Sequence, residues 1–193
     1  MRARRLSAAV CAIAVGALAG GCGFGLHDDH NADSNSQGIY VHAGPVTYQL
    51  QVSRELDPYS PEDSGYLAGL SKKEATLSPS QLWFGVFLWA KNETNRTQMT
   101  TNNFDIVDTE GHIYRPLHLS PSANPYIWYS MPLAPGATEP NGDTTAGYGP
   151  TGGRLLLFKL PALGTLSVYN NRPLTLQIRG NTNKVWGTIS LDL

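Results

Sequence analysis

From position 46 to 53, apolar Val46, Tyr48, Leu50 and Val52 alternate with polar Thr47, Gln49, Gln51 and Ser53. This period of two puts one face of a strand in a core and the other in water. Residues 81–91 are apolar on both faces, with Phe84, Val86, Leu88 and Ala90 on one side and Trp83, Phe87 and Trp89 on the other. Residues 104–107 and 112–115 flank Asp108-Thr-Glu-Gly111, a hairpin whose Gly111 suits a positive φ. Three further strands are expected over 154–160, 173–179 and 184–193, where Leu174, Leu176 and Ile178 alternate, as do Val185, Ile189 and Leu191. Two long connections interrupt them: 57–80, with one helical turn near 64–75, and 116–153, rich in Pro, Gly, Ser and Asn. About seven strands separated by turn signals predict an all-β fold, a β-sandwich.

The N-terminus has a different pattern. Arg2, Arg4 and Arg5 precede an uncharged run of small and apolar residues over 6–21, the layout of a secretory signal peptide. The run ends Leu18-Ala19-Gly20-Gly21-Cys22, which resembles a bacterial lipobox, with Ala19 standing where Leu is commonest. The expected organisation is a removed leader (1–21), a lipidated Cys22 with a flexible polar tether (22–38), and one domain (39–193). The chain would then face outward from the cell membrane, its membrane partner engaged through acyl chains. The alternative is an ordinary signal peptide cut nearby, leaving Cys22 as a free thiol. Cys11 lies in the leader, so either way the mature chain has no disulfide.

Composition narrows the function classes. Only 15% of the 193 residues are charged, against about 25% in soluble domains generally. With 14 Lys+Arg and 15 Asp+Glu there is no basic excess for nucleic acid. Losing the leader removes three Arg and no acid, which leaves 11 basic and 15 acidic residues and no polybasic patch for anionic lipid.

Catalytic chemistry finds little footing. There is no Gly-x-Ser-x-Gly elbow, and the glycine-rich 147–153 segment lacks the Lys-Ser/Thr that a phosphate loop needs. No enzyme activity and no cofactor are expected. His27-Asp28-Asp29-His30 has side chains that suit Zn or Cu. It lies in the tether, however, where nothing fixes ligand geometry, so His27 and His30 are weak candidates and no metal is expected. Met99, His112, His118 and Met131 are metal-binding types whose spacing does not bring them together. Asn92-Glu-Thr94 and Asn95-Arg-Thr97 match glycosylation sequons but read as turn residues after a strand.

The outer stripe of Trp83, Phe87 and Trp89 is the most suggestive feature. Solvated sheet faces rarely expose contiguous apolar area, so residues 120–135 (Tyr126, Trp128, Tyr129, Met131, Leu133) are expected to fold back over it. The alternative is a partner surface built from Trp83, Phe87, Trp89, Tyr126 and Trp128, with the tryptophans as hot spots.

Several short motifs carry a resemblance. They are Val86-Phe-Leu88-Trp-Ala90-Lys-Asn92-Glu-Thr94, then Phe104-Asp-Ile106-Val-Asp108-x-x-Gly111-x-x-Tyr114-x-Pro116, then Leu133-Ala-Pro135-Gly136, 153–161 and Leu174-Thr-Leu176. Their order is similar to the telokin-like, immunoglobulin-like domain of unknown function in envelope lipoproteins of Gram-positive bacteria. The small secreted mycobacterial immunogenic antigen is related in fold. The resemblance spans about residues 41–193. It implies an immunoglobulin-like sandwich on a lipid anchor, acting as an interaction module in the envelope with Phe84, Val86, Leu88 and Ala90 facing the core, and it carries over no catalytic residue. A small-molecule or metal-binding lipoprotein is the second reading.

Overall fold

The computed structural model describes residues 31–33, 40–191 and 193. The strands are β1 (Asn31–Asp33), β2 (Tyr40–Ala43), β3 (Val46–Leu56), β4 (Gln81–Lys91), β5 (Gln98–Met99) and β6 (Asn103–Val107). They continue with β7 (Ile113–Tyr114), β8 (Pro132–Leu133), β9 (Thr138–Glu139), β10 (Arg154–Pro161), β11 (Leu174–Arg179) and β12 (Val185–Leu191). Three single helical turns, α1 (Pro61–Ser64), α2 (Lys72–Ala75) and α3 (Thr145–Tyr148), lie in the two long connections. The protein is all-β. None of the described helices is long and apolar enough to cross a membrane. The leader, Cys22, His27 and His30 lie outside the described residues.

One sheet runs β1-β12-β11-β6-β7 and another β10-β4-β3-β2, with β9 pairing beside β4. Their inward faces share one apolar cluster: Tyr48, Phe84, Val86 and Leu88 from one sheet meet Phe104, Ile106, Leu176 and Ile189 from the other. This is the face of β4 that the resemblance implies points into the core. Asn31–Asp33 pairs in parallel with Thr188–Ser190.

The predicted strict alternation in β3 breaks once. Its register against β4 shifts between Leu50 and Val52, so Gln51 is an extra residue. Leu50 stays opposite Leu88 on the core face, while Val52 pairs with Phe87 on the outer face. A one-residue bulge turns every later side chain over. Val52, expected in the main core, instead joins a second cluster with Leu56, Trp83, Phe87, Leu155 and Leu157.

The two long connections close this second cluster. Tyr66 packs edge-to-face on Phe87 (4.9 Å) and on Tyr126 (4.8 Å). Asn124 Nδ2 donates to the Tyr66 and Ala68 carbonyls (2.8 and 3.1 Å), tying one connection to the other. Lys159 lies over the Trp83 ring (4.8 Å) and donates to the carbonyls of Glu74 and Thr76, which clamps α2 in place. At the start of the insertion, the Arg54 guanidinium forks onto the buried Asp63 carboxylate, which also accepts the Asp57 N–H.

The β6–β7 hairpin turns as expected, with Gly111 at φ 84°. Asp108 anchors it. One carboxylate oxygen accepts the backbone N–H groups of Glu110 and His112, and the other accepts His112 Nδ1 (2.9 Å) and the Tyr114 hydroxyl (2.9 Å). Burial alone would raise the Asp108 pKa, but these donors outweigh it and hold the carboxyl below its usual range. A lowered folded pKa stabilises fully above the ordinary carboxylate value near about 4 and is lost as pH falls through the folded value. The denaturation midpoint of the native chain should therefore drop more steeply than that of Asp108→Asn on going from neutral pH to about pH 3. Parallel curves would show that Asp108 is not linked to acid unfolding.

Candidate functional site

The bulge at Gln51 divides the outer face of the second sheet. Beyond it β3 turns Val52 and Leu56 towards the covering connections. Before it the same face carries Thr47 and Gln49. Cross-strand pairing sets two rows there, Tyr40–Gln49–Trp89 and His42–Thr47–Lys91, running across β2, β3 and β4. Tyr40 is 52% exposed and Trp89 is half-buried. Their rings stand edge-to-face with centroids 6.0 Å apart, an arrangement that suits the ring quadrupoles. The β2–β3 turn holds Gly44 at φ 64°, with a Cβ there within 2.7 Å of the Trp186 ring, so both backbone sign and space call for glycine.

Polar groups border the aromatic pair. Thr47 Oγ1 donates to Glu93 Oε2 (2.9 Å) and lies 2.8 Å from His42 Nδ1. A hydroxyl has one proton, so His42 Nδ1 is the donor to Thr47 and Nε2 is an acceptor in the neutral ring. Lys91 Nζ donates to Glu93 Oε1 at 3.2 Å. The Thr47 hydroxyl chiefly, with Lys91 and His42, holds the Glu93 carboxyl below its usual range against a burial effect of opposite sign. Glu93 is placed by the turn after β4. There, buried Asn92 donates to the Arg96 and Leu133 carbonyls (2.7 and 2.8 Å) and accepts the Thr94 N–H. Tyr40, His42, Thr47, Trp89, Lys91 and Glu93 line an open cavity of about 340 Å³.

The residues proposed from sequence separate. Trp83 (1% exposed) and Phe87 (0%) are packed within the chain's own fold and present no face to a partner. Trp128 is not on the outer face. It sits in the main core against Tyr48 and Phe104, with its Nε1 donating to the Thr101 carbonyl. Met131 and Leu133 follow it into the main core. The expected cover from 120–135 therefore comes only from Tyr126 and Ile127, and the rest comes from Leu117, Leu119 and the 57–80 insertion. Of the stripe, Trp89 alone is left partly open. The sequence reading missed Tyr40, His42, Thr47, Gln49, Lys91 and Glu93. Tyr40-Val-His42-Ala before Gly44-Pro45 is an alternating strand leading into a turn, and it is the signal that identifies β2.

The remaining metal-binding types are engaged separately. His112 is held on Asp108, and His118 borders a cavity of about 120 Å³ where the Asp105 carboxylate pairs with Arg179 (2.8 Å). Among the described residues no three or more His, Cys, Asp or Glu side chains are grouped to hold a metal ion.

No protein-family model matches the chain, and no curated protein does. A solved structure similar to it is the yjhA protein from Bacillus subtilis, at 12% identity and a TM-score of 0.46, over 84% of this chain and 99% of that one.

Proposed function

We propose that the chain is a non-enzymatic, lipid-anchored β-sandwich of immunoglobulin-like type, akin to the telokin-like envelope domains. In this reading it is held on the outer side of the cell membrane through Cys22 and binds an envelope component with its open aromatic end. The observation that carries the binding face is the pair Tyr40 and Trp89. They stand partly open over an assembled hydrogen-bond network, on a sheet whose other outer aromatics are covered. Exposed aromatics that serve no packing role are the usual anchors of recognition. Support for the anchor is the leader pattern ending at Cys22, and support for the sandwich is the core shared by two sheets.

Two measurements test this. Fatty-acid labelling of cells should mark the protein and be lost in Cys22→Ser, which should appear in the medium; retained label would remove the anchor. The detergent-solubilised full chain should sediment with isolated cell envelopes, and Trp89→Ala should abolish this while costing about 1 kcal/mol or less in stability, as expected of a partly open site. Sedimentation indifferent to Trp89 would remove the binding face. A small-ligand reading is favoured by the cavity, which offers a carbohydrate-sized rather than a protein-sized footprint.

A further inference from the structure

We propose that the Tyr40–Trp89 face takes a neutral pyranose glycan, with the flat C–H face of a sugar laid on one of the two rings, which stand at 64° to each other, and its hydroxyls met by His42, Lys91 and Glu93; this rests on reading that face as a binding surface. Charge excludes the simplest alternatives. The one ammonium and one carboxylate lining the cavity are paired with each other at 3.2 Å. An anionic ligand would have to draw Lys91 from Glu93, and a cationic one the reverse. A metal ion would find a single carboxylate and a single imidazole, too few for a closed site. A purely apolar ligand would bury these polar groups without partners, at a cost for each.

The polar inventory points to hydroxyls. Thr47 fixes His42 with Nε2 as an acceptor, Glu93 is an acceptor, and Lys91 is a donor with protons to spare. Donors and acceptors therefore stand side by side, held by one another before any ligand arrives. A hydroxyl both donates and accepts, so a polyol uses the whole set, and orientation in advance lowers the entropy cost of binding. The aromatic pair supplies the other half of the recognition. The negative ring face attracts the electron-poor C–H groups of a sugar ring. An extended, all-equatorial glycan presents the flattest such C–H face.

Chitotetraose and cellotetraose, both β-1,4-linked and flat, are the probes. Titrated into the detergent-solubilised full chain, one or both should produce a saturable heat change in isothermal calorimetry. Trp89→Ala should raise the dissociation constant at least about tenfold, and Tyr40→Ala should weaken binding too. Tyr40 is exposed on a short strand, so that variant keeps the test valid if Trp89→Ala fails to fold. No saturable change with either glycan at millimolar concentration overturns the proposal, and so does binding unaffected by both substitutions. Competition separates the two readings. Envelope sedimentation that needs Trp89 but is not displaced by an excess of the tetraose that binds overturns the glycan and leaves the binding face. Sedimentation that needs Trp89 and is displaced by that tetraose supports both.

Discussion

Phe87→Ala should destabilise the fold by about 3–5 kcal/mol, the range for removing a large aromatic from a packed site. Phe87 is fully buried between Tyr66, the 57–80 insertion and Leu155. Little can close around the space it leaves. The insertion is pinned on one side by the Arg54–Asp63 fork and on the other by Lys159, and Gly85 beside it already sits 3.0 Å from the Phe87 ring by the measure of an added Cβ. Urea unfolding followed by circular dichroism is the measurement. A loss under about 1 kcal/mol, the level of an exposed site, would mean that the connections do not form a second core. The comparison with Trp89→Ala, two residues along the same face, makes the reading internal to one strand.

That contrast also marks how far the sequence could be read. β11 and β12 are legible because one buried face imposes a period of two over several residues, whereas β4 and β10 read as largely apolar runs between turn signals; all four lie where those patterns place them. The division of the outer face is not legible, because it depends on a single extra residue at Gln51. Nothing in Leu50-Gln-Val52 distinguishes a bulge from regular alternation. Trp83, Phe87 and Trp89 look equivalent along the chain, yet their surroundings come from other segments: Tyr66 before them and Tyr126 and Ile127 after them cover Phe87 and Trp83, while Tyr40 on another strand meets Trp89. The polar network escaped for the same reason. His42, Thr47 and Glu93 are on three separate segments, and only strand register unites them.

Glu139→Gln should cost a comparable amount, about 3–5 kcal/mol, because it leaves a buried guanidinium without its counter-charge. Glu139 pairs with Ala90 and Arg154 with Leu88, so both side chains fall on the inward face of β4, where they are 5% and 6% exposed and joined as an ion pair. Arg154 retains only the Pro125 carbonyl at 2.7 Å and the Tyr129 ring at 5.1 Å once the carboxylate is gone. Neither neutralises it. The double variant Arg154→Met with Glu139→Leu should recover most of the loss, since apolar replacement of a whole buried pair is often close to neutral. Equilibrium unfolding of the two variants decides the matter. If the single variant falls by less than about 1 kcal/mol, the pair is solvated in the folded chain.

The path of the 116–128 connection has a consequence for how copies of this chain behave when crowded. β10 has β4 on one side, and along its other side runs the connection: Leu117 N–H bonds the Leu157 carbonyl, Trp128 N–H the Leu155 carbonyl, and Leu155 N–H the Tyr126 carbonyl. Left bare, an eight-residue strand reading Arg-Leu-Leu-Leu-Phe-Lys-Leu-Pro would be a ready template for strand-to-strand aggregation between molecules. Those three backbone bonds withdraw its middle from intermolecular pairing, and the charge at Lys159 and the ring of Pro161 interrupt the rest, so crowded copies meet no bare apolar β10 edge on which to add a strand.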